Sequence, residues 1–261
     1  MQQGMLFHSR YAPRSGAYIQ QLICAHHEDL DVYAYKQAWR RVVERHSVLR
    51  TTFRWDGLDE PRQEVHGSVE IPWEEQDWRS FMASEQEDRL AAYLETDRQK
   101  EFESPEQPLM RLALFRVGKA EYRFIWTSHH ALLDGRSFLI LAKEVFAYYD
   151  SFCRNENLLL SQPRPYRDFI DWLNQQDYSK HENFWRPQLR GFKASTPFGI
   201  DRPRSAASAE DVKFASQKVK LSHSLTDALK RIAREYDLTV NTLLLGAWGL
   251  LLSRYSGQDD V

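Results

Sequence analysis

The sequence "SHHALLDGRS", Ser128–Ser137, separates a stretch with the pattern of β-strands from one with the pattern of a helix. Residues 109–127 are rich in β-branched and aromatic side chains and break at Gly118, which predicts two strands joined by a turn. After the quoted stretch, apolar residues recur three or four positions apart, as on one helix face: Leu139, Ala142, Val145 and Tyr149. We therefore predict a strand-to-helix turn, in which side chains face a cleft between two rigid elements.

The turn contains side chains suited to proton transfer. Histidine exchanges a proton near neutral pH, because its unperturbed pKa is about 6.5. Adjacent strand residues point to opposite sides, so only one of His129 and His130 can face a cleft, and the other must be buried or structural. Asp134 can fold back to orient a ring or an arginine, and Arg50 is a candidate partner. Gly135 has no Cβ and would let the backbone pass close to a substrate.

Other chemistries match the turn less well. A histidine pair that ends an apolar strand also fits a purely structural role. A zinc site needs three or four ligands, and the local sequence supplies no further His or Cys. A serine hydrolase needs a G-x-S-x-G elbow, which the sequence lacks. We therefore expect neither a bound metal nor a serine nucleophile here.

Composition excludes several classes of partner. The 261 residues are 42% hydrophobic, which is enough to bury one large core or two smaller ones. The formal charge of -2 predicts no general affinity for nucleic acid or an anionic membrane. The apolar run at residues 243–252 is shorter than the roughly 20 residues that cross a bilayer, so we predict a buried helix there. Two cysteines without C-x-x-C spacing favour a reducing, cytoplasmic location.

Local patterns predict further elements. Residues 30–46 have helical spacing with Asp31 as N-cap and an inner face containing Tyr35, Trp39 and Val42. Residues 84–101 predict a second helix. A Gly-, Pro- and Ser-rich stretch at residues 191–211 predicts a connector between two lobes, followed by one strand and two helices. A lobe with so few strands leads us to expect the front portion of a longer protein.

Four segments together resemble the condensation domains of nonribosomal peptide synthetases. "HHALLDG", residues 129–135, matches the His-His-x-x-x-Asp-Gly signature that this family shares with chloramphenicol acetyltransferase and related acyltransferases. Three other segments are similar to family motifs and stand in the family's order: "MQQGMLFHS" at residues 1–9, "RHSVLRTTF" at residues 45–53 and "YRDFIDW" at residues 166–172. Arg136 departs from the pattern, because tryptophan is common there.

The resemblance implies a chloramphenicol acetyltransferase-like α/β fold. It would consist of one complete N-terminal lobe at residues 1–176, then a connector and an incomplete second lobe at residues 177–261. The implied reaction joins a donor acyl or peptidyl thioester to an acceptor aminoacyl thioester. Both substrates would arrive on the phosphopantetheine arms of peptidyl carrier proteins, beside neighbouring synthetase domains, and no cofactor would be bound directly.

The same resemblance assigns roles to the residues of the turn. His130 matches the catalytic histidine and His129 its structural neighbour. Asp134 matches a residue that pairs with an arginine, here Arg50, and keeps the turn in shape. The histidine of this family either removes a proton or positions the amine and stabilises the oxyanion, and the sequence does not decide between these roles.

Three alternatives remain open from the sequence. An epimerisation domain shares the fold and the motif but would invert a tethered aminoacyl α-carbon. A free-standing acetyltransferase fits less well, because its motif lies near the C-terminus and His130 is at mid-chain. A non-catalytic scaffold that docks carrier proteins would not need His130, Asp134 and Gly135. Because the second lobe is incomplete, we expect residues 1–261 alone to be inactive.

Overall fold

A computed structural model describes residues 2–11, 16–54, 62–100, 102, 108–196 and 219–261. The chain divides into two compact units, Met1–Gln176 and Asp177–Val261. Most of the predicted connector at residues 191–211 and of the predicted strand after it lies outside the described residues.

The first unit alternates helices and strands. Its helices are α1 (Gln2–Tyr11), α2 (Val32–Arg45), α3 (Ala83–Gln99), α4 (Gly135–Cys153) and α5 (Tyr166–Asn174). Its strands are β1 (Ile19–His26), β2 (Thr51–Arg54), β3 (Arg62–Val65), β4 (Trp73–Asp77), β5 (Met110–Gly118) and β6 (Glu121–His129). A 3-10 turn, Ser47–Arg50, joins α2 to β2.

A four-stranded sheet in the order β1-β6-β5-β4 positions the predicted turn. Strand β6 lies inside this sheet and is antiparallel to both β1 and β5, whereas β4 is parallel to β5. At the end of β6, His129 pairs with Ile19 of β1. Strands β2 and β3 form a separate antiparallel pair. The turn therefore leaves the sheet from a strand that is hydrogen-bonded on both sides.

Apolar side chains cover both faces of the sheet. On one face, Trp39 of α2 and Phe138 of α4 pack against Trp126 of β6, with ring centroids 4.8 Å and 4.5 Å from its centroid. On the other face, Phe115 of β5 stacks on Trp78 at 4.1 Å. Because β6 is enclosed in this way, its C-terminal residue has a fixed position.

The second unit contains three described helices: α6 (Ser179–Gln188), α7 (His223–Glu235) and α8 (Val240–Ser256). The Thr239 side chain caps α8, and Gly257 ends it in the left-handed region at φ 70°. The prediction of a buried helix at residues 243–252 is wrong, because α8 contains no buried residue. A helix that is apolar on all sides needs partners on all sides, and in the described part of this unit α7 packs against it.

Candidate active site

The backbone of the turn is held at both ends. The N–H of His129 donates to Leu109 O at 3.0 Å, and the N–H of His130 donates to Tyr18 O at 2.8 Å. The next three side chains, Ala131, Leu132 and Leu133, are buried in the main core cluster. Helix α4 then begins at Gly135, as the sequence pattern predicts. Core packing on one side and strand hydrogen bonds on the other therefore fix the two histidines.

His129 is the buried member of the pair, with 6% of its surface exposed. Its Nδ1 accepts the N–H of Ala131 at 3.0 Å, so the ring proton is assigned to Nε2. Nε2 lies 2.9 Å from Ser9 Oγ, and the Ser9 hydroxyl donates to Met5 O at 3.0 Å. Burial, together with the neighbouring His130, lowers the pKa of His129 to about 4. A neutral ring with both nitrogens bonded is suited to a structural role.

His130 is half-buried and keeps one nitrogen available. Its Nδ1 lies 2.9 Å from Leu133 O. A carbonyl oxygen only accepts hydrogen bonds, so Nδ1 carries a proton, and in the neutral ring the lone pair is on Nε2. Across the described part of the chain, no side chain or backbone group bonds to Nε2. The two adjacent rings thus differ, because the Nε2 of His130 can accept a proton from a bound molecule.

Asp134 is the N-cap of α4. Its Oδ1 accepts the Ser137 N–H at 2.8 Å and the Ser137 hydroxyl at 2.6 Å, and these bonds lower the pKa of the carboxyl below its usual value. Gly135 follows as an exposed residue, and a Cβ placed there would meet no atom within 4 Å. That space is compatible with close approach of a substrate, which stays a prediction.

Arg50 does not pair with Asp134, and this expectation is wrong. The Arg50 guanidinium donates instead to three carbonyl oxygens, those of Val43 at 3.2 Å, Gly67 at 3.0 Å and His66. These bonds join the end of α2 to the loop after β3. The carboxylate of Asp134 meanwhile finds its donors in Ser137, three residues along the chain. Arg50 therefore orders the loop after β3, and Asp134 orders the first turn of α4.

Helix α1 supplies contacts to the turn that the sequence patterns do not predict. Gln2 Nε2 donates to Ala131 O at 2.8 Å, and Ser9 contacts His129 as described above. The pairs are separated by 129 and 120 residues, so no local pattern encodes them. The one sequence signal was that the segment "MQQGMLFHS" resembles a family motif.

The described residues offer neither a cluster of metal ligands nor a membrane-spanning helix. No group of three or more His, Cys, Asp and Glu side chains among them is placed to hold a metal ion. Within the same residues, every helix is too short or too polar to span a bilayer.

Comparison with known proteins identifies the family. The Condensation domain family matches residues 1–261. The chain belongs to the condensation domain family. A linear gramicidin synthase from Brevibacillus parabrevis is 41% identical over 261 residues, which are 100% of this chain and 5% of that protein. Bacitracin synthase 1 of Bacillus licheniformis is 31% identical over 261 residues, again 100% of this chain and 5% of that protein. This condensation domain sequence therefore spans a small part of each of these relatives.

Solved structures confirm the fold class of this condensation domain sequence. The first condensation domain of the calcium-dependent antibiotic synthetase has a TM-score of 0.79 and 15% identity, over 100% of this chain and 60% of that one. The SgcC5 protein of Streptomyces globisporus has a TM-score of 0.75 and 22% identity, over 95% of this chain and 56% of that one. The predicted chloramphenicol acetyltransferase-like α/β fold is confirmed.

Proposed function

We propose that the protein forms peptide bonds in a nonribosomal peptide synthetase. The α-amino group of an acceptor aminoacyl thioester attacks the carbonyl carbon of a donor thioester. A C–N bond forms, the C–S bond breaks, the donor carrier's thiol is released and the amine loses a proton. The observation that carries this proposal is the family match over all 261 residues, with His130 in the family's signature.

His130 is the residue that we propose to contact the amine. The bond from its Nδ1 to Leu133 O leaves Nε2 as an acceptor, so the neutral ring can receive a hydrogen bond or a proton from the amine. In that tautomer Nε2 has no proton to donate to an oxyanion until the amine has delivered one. The hydrogen bonding therefore favours amine positioning and proton acceptance as the first role of His130, and oxyanion stabilisation as a later one.

Carrier proteins and neighbouring synthetase domains are the proposed partners. Both substrates would be tethered to phosphopantetheine arms on donor and acceptor carriers, and the domain itself would bind no cofactor. Relatives named as gramicidin and bacitracin synthases support this assignment. Cys24 and Cys153 are free thiols, which supports our placing the protein in the reducing cytoplasm.

The test is the substitution His130→Ala in the full-length synthetase, with both carriers loaded. We expect turnover to fall by about 10²- to 10⁴-fold, because the amine loses its proton acceptor, while carrier binding stays unchanged. The matched control is His27→Ala, which removes an exposed ring at the opposite end of β1 from the turn and should leave turnover unchanged. Wild-type turnover in His130→Ala would contradict the proposal and would favour a docking scaffold.

We further propose that residues 1–261 alone do not catalyse the reaction. The family resemblance places the active site between two lobes, and the chain spans 60% of one solved condensation domain. Incubating the purified chain with two loaded carriers checks this, and dipeptide formation would contradict it.

A further inference from the structure

Helix α1 holds both backbone polar groups of Ala131, the residue that follows His130. The Ala131 carbonyl accepts from Gln2 Nε2 at 2.8 Å. The Ala131 N–H donates to His129 Nδ1 at 3.0 Å, and His129 is held in turn by Ser9 at 2.9 Å. One helix at the start of the chain thus fixes the two peptide groups on either side of Ala131, one directly and one through a buried ring.

From this arrangement we propose that Ser9 and Gln2 are positioning residues for His130. They act on the reaction that we assign above, so the inference rests on the proposed function. Neither residue acts on the substrate. They set the orientation of the peptide that carries the His130 ring, and so the direction in which its Nε2 lone pair points.

The contribution of Ser9 depends on its hydroxyl. That hydroxyl accepts the Nε2–H of His129 and donates to Met5 O at 3.0 Å, so it connects the ring to the backbone of α1. Without it, the His129 Nε2–H would be a buried donor without an acceptor, and the ring would be free to tilt away from Ala131. Small errors in the position of a reacting group have large effects on rate, which makes His130 sensitive to this tilt.

The kinetic test compares four variants of the full-length synthetase: Ser9→Ala, Ser9→Thr, Gln2→Ala and the control Gln3→Ala. Gln3 is exposed on the same helix. We expect Ser9→Ala to lower kcat about 10-fold at unchanged KM for both carriers, since binding does not use this contact. Gln2→Ala should lower kcat in the same way. Ser9→Thr keeps the hydroxyl and should restore kcat, and Gln3→Ala should match the wild type.

A spectroscopic test on the chain of residues 1–261 separates positioning from loss of folding. The Nε2–H of His129 is buried and bonded, so its NMR signal should be visible in the wild type. We expect the signal to be lost in Ser9→Ala and present in Ser9→Thr. Every variant should still unfold in one cooperative transition, and the melting temperature should fall only in Ser9→Ala, by the cost of one unpaired buried donor.

The outcomes distinguish this inference from the proposed function. If His130→Ala abolishes turnover while Ser9→Ala has wild-type kcat, only the positioning role is overturned. If His130→Ala is fully active, the proposed function fails. A Ser9→Thr variant as slow as Ser9→Ala, or an equal loss in Gln3→Ala, would also overturn the positioning role, because the helix as a whole would then be responsible.

Discussion

Two polar sites lie close together on β6, and they differ in how completely their groups are bonded. The first is the Asp97 cluster, which consists of Asp97, Gln21, Arg111 and Thr127. Asp97 Oδ2 accepts from Thr127 at 2.6 Å and from Gln21 at 2.7 Å, and Arg111 donates to Oδ1. Since these partners lie on β6, β1 and β5, the cluster joins α3 to three strands.

The second site is the turn that follows β6, where bonding is complete for His129 but not for His130. Both nitrogens of His129 have partners, whereas the Nε2 of His130 has none among the described residues. A fully bonded buried group makes the fold rigid but has no capacity left for a ligand. The difference shows that a fully bonded polar cluster at Thr127 and a ring nitrogen that is available to a ligand can lie only three residues apart.

The largest expected effect on stability in this comparison is that of Asp97→Ala. The substitution leaves the Arg111 guanidinium, 12% exposed, without its carboxylate. We expect the free energy of unfolding to fall by about 3 to 5 kcal/mol, the usual cost of breaking a buried ion pair from one side. Chemical denaturation measures this loss, and hydrogen exchange of the β6 amides locates it.

A surface carboxylate provides the control for this prediction. Asp77 pairs with Arg79 at 2.6 Å, but both side chains are about half exposed. We expect Asp77→Ala to leave the denaturation midpoint close to that of the wild type, because solvent screens such pairs. If both variants lost the same free energy of unfolding, the Asp97 cluster would stabilise the fold no more than a surface ion pair does.

The second expected effect is that the folded chain becomes less stable in acid because of His129. Its pKa is lowered from 6.5 to about 4 in the folded chain, so the unfolded chain binds the proton more readily between these values. The contribution of His129 to the free energy of unfolding is therefore fully present above pH 6.5. It is lost as the pH drops toward 4, by up to about 1.4 kcal/mol per pH unit. Denaturation curves at several pH values measure the slope.

The substitution His129→Gln isolates this group from other titrating residues. His26 is also buried, and desolvation lowers its pKa, so it contributes a slope of the same sign. Subtracting the His129→Gln profile from the wild-type profile leaves the His129 contribution alone. A His129→Gln profile parallel to the wild type would show that His129 is not held neutral.

The elements that local patterns specify could be predicted from the sequence. Helix α2 begins after Asp31, whose carboxylate accepts the Ala34 N–H at 2.9 Å, and Tyr35, Trp39 and Val42 are buried as the spacing predicts. Caps and helical periodicity act within a few residues, which is why they are readable from sequence. The motif likewise predicts the strand-to-helix turn and the family.

Features that depend on distant partners could not be predicted in this way. No local pattern predicts the parallel strand β4, and the bonds of α1 to the turn join residues 120 or more apart. Helix α4 is predicted, and Val145 and Tyr149 of its predicted face are buried, but Leu139 is 68% exposed and Leu141, which is not on that face, is buried. Tertiary packing decides which side of a helix faces the core, and periodicity alone only narrows the choice.

The smallest expected effect is that of Asp134, the exposed carboxylate of the turn, and it can be compared with that of the buried Asp97. Asp134→Ala removes the N-cap of α4 and should lower the free energy of unfolding by about 1 kcal/mol. Asp134→Asn keeps an acceptor oxygen for the Ser137 N–H and should retain most of the stability. Chemical denaturation of both variants separates the capping bond from the charge.

A double-mutant cycle with Arg50 then decides between the structure and the family resemblance for this pair. In the structure, Arg50 donates to Val43, His66 and Gly67, so Arg50→Ala and Asp134→Ala affect different segments. Their losses of stability should add to within about 0.5 kcal/mol, as expected for residues without shared partners. A coupling energy well above that value would mean that the two side chains do meet, as the resemblance implied. Asp134 would then resemble Asp97, as a carboxylate bonded to a distant strand or loop, instead of a local helix cap.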